Sequence, residues 1–331
     1  MIWLTWRQHR REALVFAALL AAFAIYLIVL GRAMYDDFYH VIGGRSPALC
    51  LQRQDYNEVC GNVINAFIGK YSENTQPALL WFIILPPLLG MFIGAPLVAR
   101  ELETGTFRLI WTQSVTRLRW LLTKVGLLAG ALALVFAAFI PLIFWWKGPF
   151  EYGGPSDMIG GQDYPIMGIL PLAYALFALA LGVAAGALFR RTIPAMLVTL
   201  GGYVGVAIAL WNWGRQNWLP PLSTTWNPYI SNGPTNFKNN DWILFFGYVN
   251  QAGQRLNSGD VWSTCAPDGF VDNRAGSAFT ACVHAHGWLN TIVWQPADRF
   301  WAFQCIESGV LVALALALVA LTIWLVRRRI A

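Results

Sequence analysis

The sequence predicts an all-α polytopic membrane protein. It has six transmembrane helices, an N-terminal interfacial helix, and a large extracellular segment between spans five and six. Three observations predict this. Hydrophobic residues make up 57% of the 331-residue chain and charged residues only 12%, against about 25% charged in an ordinary soluble domain. Six long apolar runs are nearly free of charge. Basic residues gather in alternate gaps between those runs: Arg7, Arg10 and Arg11; Arg100, Arg108, Arg117, Arg119 and Lys124; Arg190 and Arg191; and Arg327, Arg328 and Arg329. These segments hold 13 of the 23 basic residues but only Glu12, Glu101 and Glu103 of the 17 acidic ones. The alternation places both termini in the cytoplasm.

Residues 1–12 set Ile2, Trp3 and Trp6 against the first three arginines, as in a short amphipathic helix lying in the inner headgroup layer. The apolar stretch Ala13 to Leu30 exceeds a signal-peptide h-region, and no small-x-small cleavage site follows, so it reads as a retained first span over about 13–31. An outer loop of roughly 32–77 leads to span two, about 78–98. That span carries Pro86, Pro87 and Pro96, each lacking a backbone donor, which predicts a kink. Span three is about 120–146, followed by a Gly/Pro-rich outer loop over 147–165. Spans four (about 166–189) and five (about 192–213) are joined by Arg190-Arg191. The unit 13–213 thus holds spans one to five. The outer segment 214–300, about 87 residues, is too long for a bare connector. Its apolar stretch Trp242 to Val249 reads either as a re-entrant helix or as the core of a small extracellular cap. Residues 301–331 give span six and a basic cytoplasmic tail.

Small-xxx-small pairs recur at Gly90/Gly94, Gly126/Gly130, Gly182/Gly186 and Gly201/Gly205, where helix backbones can approach closely. Of the five cysteines, Cys50 and Cys60 fall in the first outer loop, Cys265 and Cys282 in the last, and Cys305 at the outer end of span six. Two disulfides, Cys50–Cys60 and Cys265–Cys282, are the simplest pairing in an oxidising compartment. Zinc ligation or free thiols are the alternatives, and no CxxC spacing supports zinc.

Spans two to five carry essentially no charge, which argues against a proton- or sodium-coupled carrier. Glu307 in span six is the exception. It is either a pathway residue meeting a polar or cationic solute, or a partner of an outer basic residue such as Arg299. No G-x-x-x-x-G-K-[ST] phosphate loop is present, so the chain is not expected to bind and hydrolyse ATP itself. His284 and His286, with Asp268 or Asp272, would serve a metal-dependent enzyme at the outer face, but no third ligand stands at motif spacing. Net charge is +6, yet the basic residues are short clusters at span ends, not a nucleic-acid-binding face.

The longest inner connection, 99–119, combines apolar Leu102, Phe107, Leu109, Ile110 and Trp111 with charged Arg100, Glu101, Glu103 and Arg108. Gly105 interrupts its first helical stretch, and Ser114 or Thr116 can cap the next. This segment resembles the ABC-2 type permease family, whose members show E-x-x-x-G-T-x-x-x-L, then Ser/Pro-Val-[ST]-Arg and a Lys, after span two. Here Glu101, Gly105, Thr106, Ile110, Gln113-Ser114-Val115-Thr116-Arg117 and Lys124 take those places, with Ile110 for the usual Leu. The wording VARELETGTFRLIWTQSVTR, the opening MIWLTWRQHRRE and QPADRFWAFQCIESG look like actinobacterial members. The resemblance implies a coupling helix seated in a separate ABC ATPase subunit. Its residues would be Glu101, Leu102, Glu103, Gly105, Thr106, Phe107, Arg108, Ile110, Arg117 and Lys124. It also implies a second permease subunit, as a homo- or heterodimer, in the bacterial plasma membrane. ATP and Mg would be bound by the ATPase, with no cofactor in this chain. An ATP-independent membrane protein, either a secondary carrier or the metal-dependent enzyme, is the alternative.

Overall fold

The computed structural model describes residues 2–40, 58–105, 116–151, 159–161, 163–228, 241–266 and 275–328. The chain divides into two units. The first comprises 1–154, 165–215 and 301–331; the second comprises 155–164 and 216–300.

The first unit is helical. Its elements are α1 (Ile2–His40), α2 (Glu58–Leu89, continued through a π-turn at Gly90–Gly94 into Ala95–Thr104), α3 (Arg117–Glu151), α4 (Leu170–Phe189), α5 (Thr192–Ala209, continued through a π-turn at Leu210–Gly214) and, after the second unit, α8 (Phe300–Arg328). Among the described residues, six stretches are long and apolar enough to cross a membrane: Ala17–Tyr39, Phe82–Thr104, Leu118–Pro149, Leu170–Phe189, Thr192–Asn217 and Ala297–Arg328. With no water to satisfy the backbone in hydrocarbon, helices of this length and composition are the stable spanning form.

Several helices run further than the sequence reading placed them. Residues 2–12 are the first turns of one continuous 39-residue helix, about 58 Å at 1.5 Å per residue, well beyond a hydrocarbon core of about 30 Å. The expected outer loop at 32–77 is largely helix, since α1 reaches His40 and α2 begins at Glu58. The apolar periodicity ends earlier, but Phe38, Phe67 and Tyr71 are buried, with Phe67 edge-on to Phe38 and tilted against Tyr71, so the two extensions pack together. Lys70 pairs with Asp37, and the Tyr71 hydroxyl donates to Ala33 O at 3.2 Å.

Pro96 of α2 directly follows a widened turn. Pro96 has no N–H to offer, and Ala95 N–H donates to Gly90 O, five residues back. Beside this turn, α2 and α4 meet on their glycines. A Cβ on Gly182 would lie 2.3 Å from Gly90 O and 2.7 Å from Ala95 N, and one on Gly186 would lie 2.5 Å from Ala95 O. The Gly90/Gly94 and Gly182/Gly186 pairs are therefore two faces of one seam within the subunit. Added Cβ atoms at Gly126, Gly130, Gly201 and Gly205 would meet nothing within 4 Å. Helix α4 is the axis of the unit: 72% of its apolar stretch is buried, against 17% for α1 and α3.

The second unit corrects the all-α expectation. It holds an antiparallel sheet of β1 (Leu222–Trp226), β2 (Trp242–Val249), β3 (Arg255–Leu256) and β4 (Leu289–Gln295) in the order β1-β4-β2-β3. The Trp242 to Val249 stretch is strand β2, so the re-entrant-helix reading fails. Seven aromatic and aliphatic residues among eight suit a pleated, half-buried surface, and eight residues are too short to cross a bilayer as helix. Helices α6 (Ser258–Cys265) and α7 (Ala275–Ala285) pack on β2 through Tyr248, Val261, Phe279 and Val283. A Cys265–Cys282 disulfide joins them, as the simplest pairing has it. Cys50 lies outside the described residues, while Cys60 falls on α2. Cys305 is a free, exposed thiol.

Candidate functional site

Two polar clusters stand at opposite ends of α4, a 20-residue helix of about 30 Å.

The first gathers at the end of α2, where the sequence places the coupling segment. Thr104 ends the helix and Gly105 follows with φ +73°, a left-handed C-cap that glycine adopts without strain. Glu101 forms an ion pair with Lys124 of α3, and both side chains are largely buried. Lys124 also lies 5.0 Å over the Trp120 ring. Two residues on, Glu103 turns to the start of α5. Its Oε2 accepts from Thr192 N at 3.2 Å and from Thr192 Oγ1 at 2.9 Å. Leu102 packs against a core of Leu97, Val98, Trp120, Leu179, Val183 and Leu325. Glu101, Leu102, Glu103, Gly105 and Lys124 are thus brought together. Arg117 opens α3, and Thr106, Phe107, Arg108 and Ile110 lie outside the described residues.

The second cluster surrounds Glu307, which is fully buried. Arg215 clasps its carboxylate with two bonds, Nε to Oε2 at 3.2 Å and Nη2 to Oε1 at 3.3 Å. The Tyr174 hydroxyl donates to Oε1 at 2.9 Å. The Trp211 ring covers the guanidinium at 4.7 Å. One turn earlier on α8, Gln304 Oε1 accepts from Leu170 N at 3.1 Å, satisfying a free donor at the start of α4. The partner of Glu307 is therefore Arg215 and not Arg299, which bonds instead to Pro220 O and Gln295 Oε1, each at 2.8 Å. The sequence signal for Arg215 was weak, because it follows the apolar run of span five and reads as an ordinary interfacial charge beside Trp211 and Trp213. Nothing in the sequence marks Thr192 or Tyr174 as their partners.

Between these ends, Ala17, Leu20, Ile93, Leu132 and Phe136 line an apolar cavity of about 190 Å³ in the first unit.

His284 and His286 lie in and just after the last turn of α7. His286 approaches Cys265 and Cys282 closely enough for three-point metal ligation. Both sulfurs are spent in the disulfide, and His286 Nδ1 lies 2.9 Å from Cys282 O. Asp268 and Asp272 are outside the described residues.

The family described as ABC-2 membrane transporter related matches residues 17–215. That range takes in Glu101, Gly105, Lys124, Tyr174, Thr192 and Arg215; Glu307 and the whole sheet lie beyond it. No curated protein and no solved structure matches the chain.

Proposed function

The chain belongs to the ABC-2 membrane transporter related family, and from that membership we propose that it is the permease subunit of an ATP-binding-cassette exporter. The observation that supports this reading best is the construction around 99–124. The α2 helix ends on a left-handed glycine, and its two carboxylates tie it to α3 and α5 just before the connecting segment. A segment held on such a stem is suited to receive force from a protein docked below the membrane.

In this reading the chain does not hydrolyse ATP. ATP and Mg are bound by a separate ATPase, and two permease subunits assemble with two ATPases in a bacterial plasma membrane. Both termini and residues 99–119 face the cytoplasm, and the 216–300 unit lies outside. ATP binding brings the ATPases together, and the displacement of 99–119 shifts the spans from an inward- to an outward-facing arrangement. The charge-free cavity favours a hydrophobic or amphipathic solute.

The test is purification from native membranes in lipid nanodiscs. The reading expects an ATPase subunit in near-equal amount, whose turnover changes when the permease is removed. Recovery of the chain without any ATPase would overturn it.

A further inference from the structure

Glu101 and Glu103 are two residues apart on one helix, so their side chains leave it about 200° apart. They must therefore reach different neighbours, and they do: Glu101 takes Lys124 of α3, and Glu103 takes Thr192 of α5. Helix α2 ends at Thr104, one residue after Glu103. Little slack separates the second carboxylate from the connecting segment.

Part of the packing at this end of α2, against both α4 and α5, is small and apolar. Ala95, Ala99, Ala185 and Ala195 pack together there, with Met196 at their edge. Methyl groups on methyl groups resist separation but oppose sliding weakly. The two bonds from Glu103 to Thr192 are directional. They also supply an acceptor to a free N–H at the positive end of α5, which has no side-chain cap of its own because Arg191 occupies the N-cap position.

We propose that Glu103 and Thr192 are positioning residues that hand displacement of the end of α2 to α5. This rests on the permease reading and adds the point at which motion enters that span. Glu101 and Lys124 anchor the other side of the stem to α3. Force on this end of α2 thus divides between two helices at the two carboxylates, with the Glu103 bonds adding a directional link to the packing of α2 on α5.

The test uses the nanodisc complex with its co-purifying ATPase, carrying Cys305→Ser to remove the exposed free thiol and Ile193→Cys as a reporter; Ile193 is 72% exposed at the start of α5. The readout is the change in maleimide labelling rate when ATP is added. Glu103→Leu and Thr192→Val should each shrink that change, by about five-fold or more in the leucine variant; in the Thr192→Val complex, assembly and ATP hydrolysis should persist. Thr192→Ser, which keeps the hydroxyl, should restore it. The double variant should be no worse than Glu103→Leu, as for two partners in one interaction. A full-sized change in the Glu103→Leu complex, or failure of Thr192→Ser to differ from Thr192→Val, overturns this inference alone. If no ATPase accompanies the unmutated chain, the permease reading falls and takes this inference with it.

Discussion

Replacing Glu307 by Gln should strongly destabilise the protein. Arg215 is 2% exposed and Glu307 fully buried, so the substitution leaves a guanidinium without its counter-charge and without a route to water. Removing one partner of a buried pair costs about 3–5 kcal/mol. Gln keeps one acceptor oxygen, and Trp211 still covers the guanidinium face, so about 3 kcal/mol is the expected loss. That is roughly a hundredfold in the folded-to-unfolded ratio and about 6 °C or more in Tm. The assay is the midpoint of thermal loss of the monodisperse peak in detergent. The paired substitution Arg215→Met with Glu307→Leu should recover most of the loss, because no charge then remains to be desolvated. Arg299→Met should leave the Glu307 cluster intact and should not reproduce the effect. A Glu307→Gln midpoint within 1 °C of the unmutated protein, at the ~0.5 kcal/mol level of a surface change, would refute the reasoning.

Other substitutions probe other parts of the account. Gly182→Val should prevent accumulation of folded protein, since its Cβ would fall 2.3 Å from Gly90 O; recovery from membranes measures this. Gly201→Ala, where the new methyl meets nothing within 4 Å, should be tolerated in the isolated subunit and gain up to about 1 kcal/mol in helix propensity. Loss of that variant by misfolding would contradict the packing described. Cys282→Ser removes a crosslink spanning 17 residues and should weaken the 216–300 unit by about 3 kcal/mol; faster proteolysis confined to that unit is the expected outcome. Gly105→Val forces a β-branched residue to φ +73° and should loosen the end of α2 by about 1–2 kcal/mol, read as faster amide exchange over 100–105.

The membrane architecture was legible because hydrocarbon imposes a simple code of length, apolarity and flanking charge. Gly105, Glu101 and Lys124 stood out for the same kind of reason, a helix stop and charges beside an inner loop. The sheet was misread because WILFFGYV is apolar throughout, and a fully apolar run of eight carries no period to separate helix from strand. The helical extensions 32–40 and 58–77 were missed because they are polar; their helicity rests on partners such as Phe38 with Phe67, far apart in sequence. Arg215 and Glu307 lie 92 positions apart. No local pattern joins them, and only the approach of α5 to α8 makes them one site.

The central claim is that this chain is a conduit moved by an ATP-hydrolysing companion. Proteoliposomes loaded with a hydrophobic fluorescent dye test it most directly, comparing the chain alone with the complex recovered from native membranes. The account predicts no dye gradient from the chain alone and an ATP-dependent gradient from the complex, abolished by vanadate. A gradient built by the chain alone, without ATP, would contradict it.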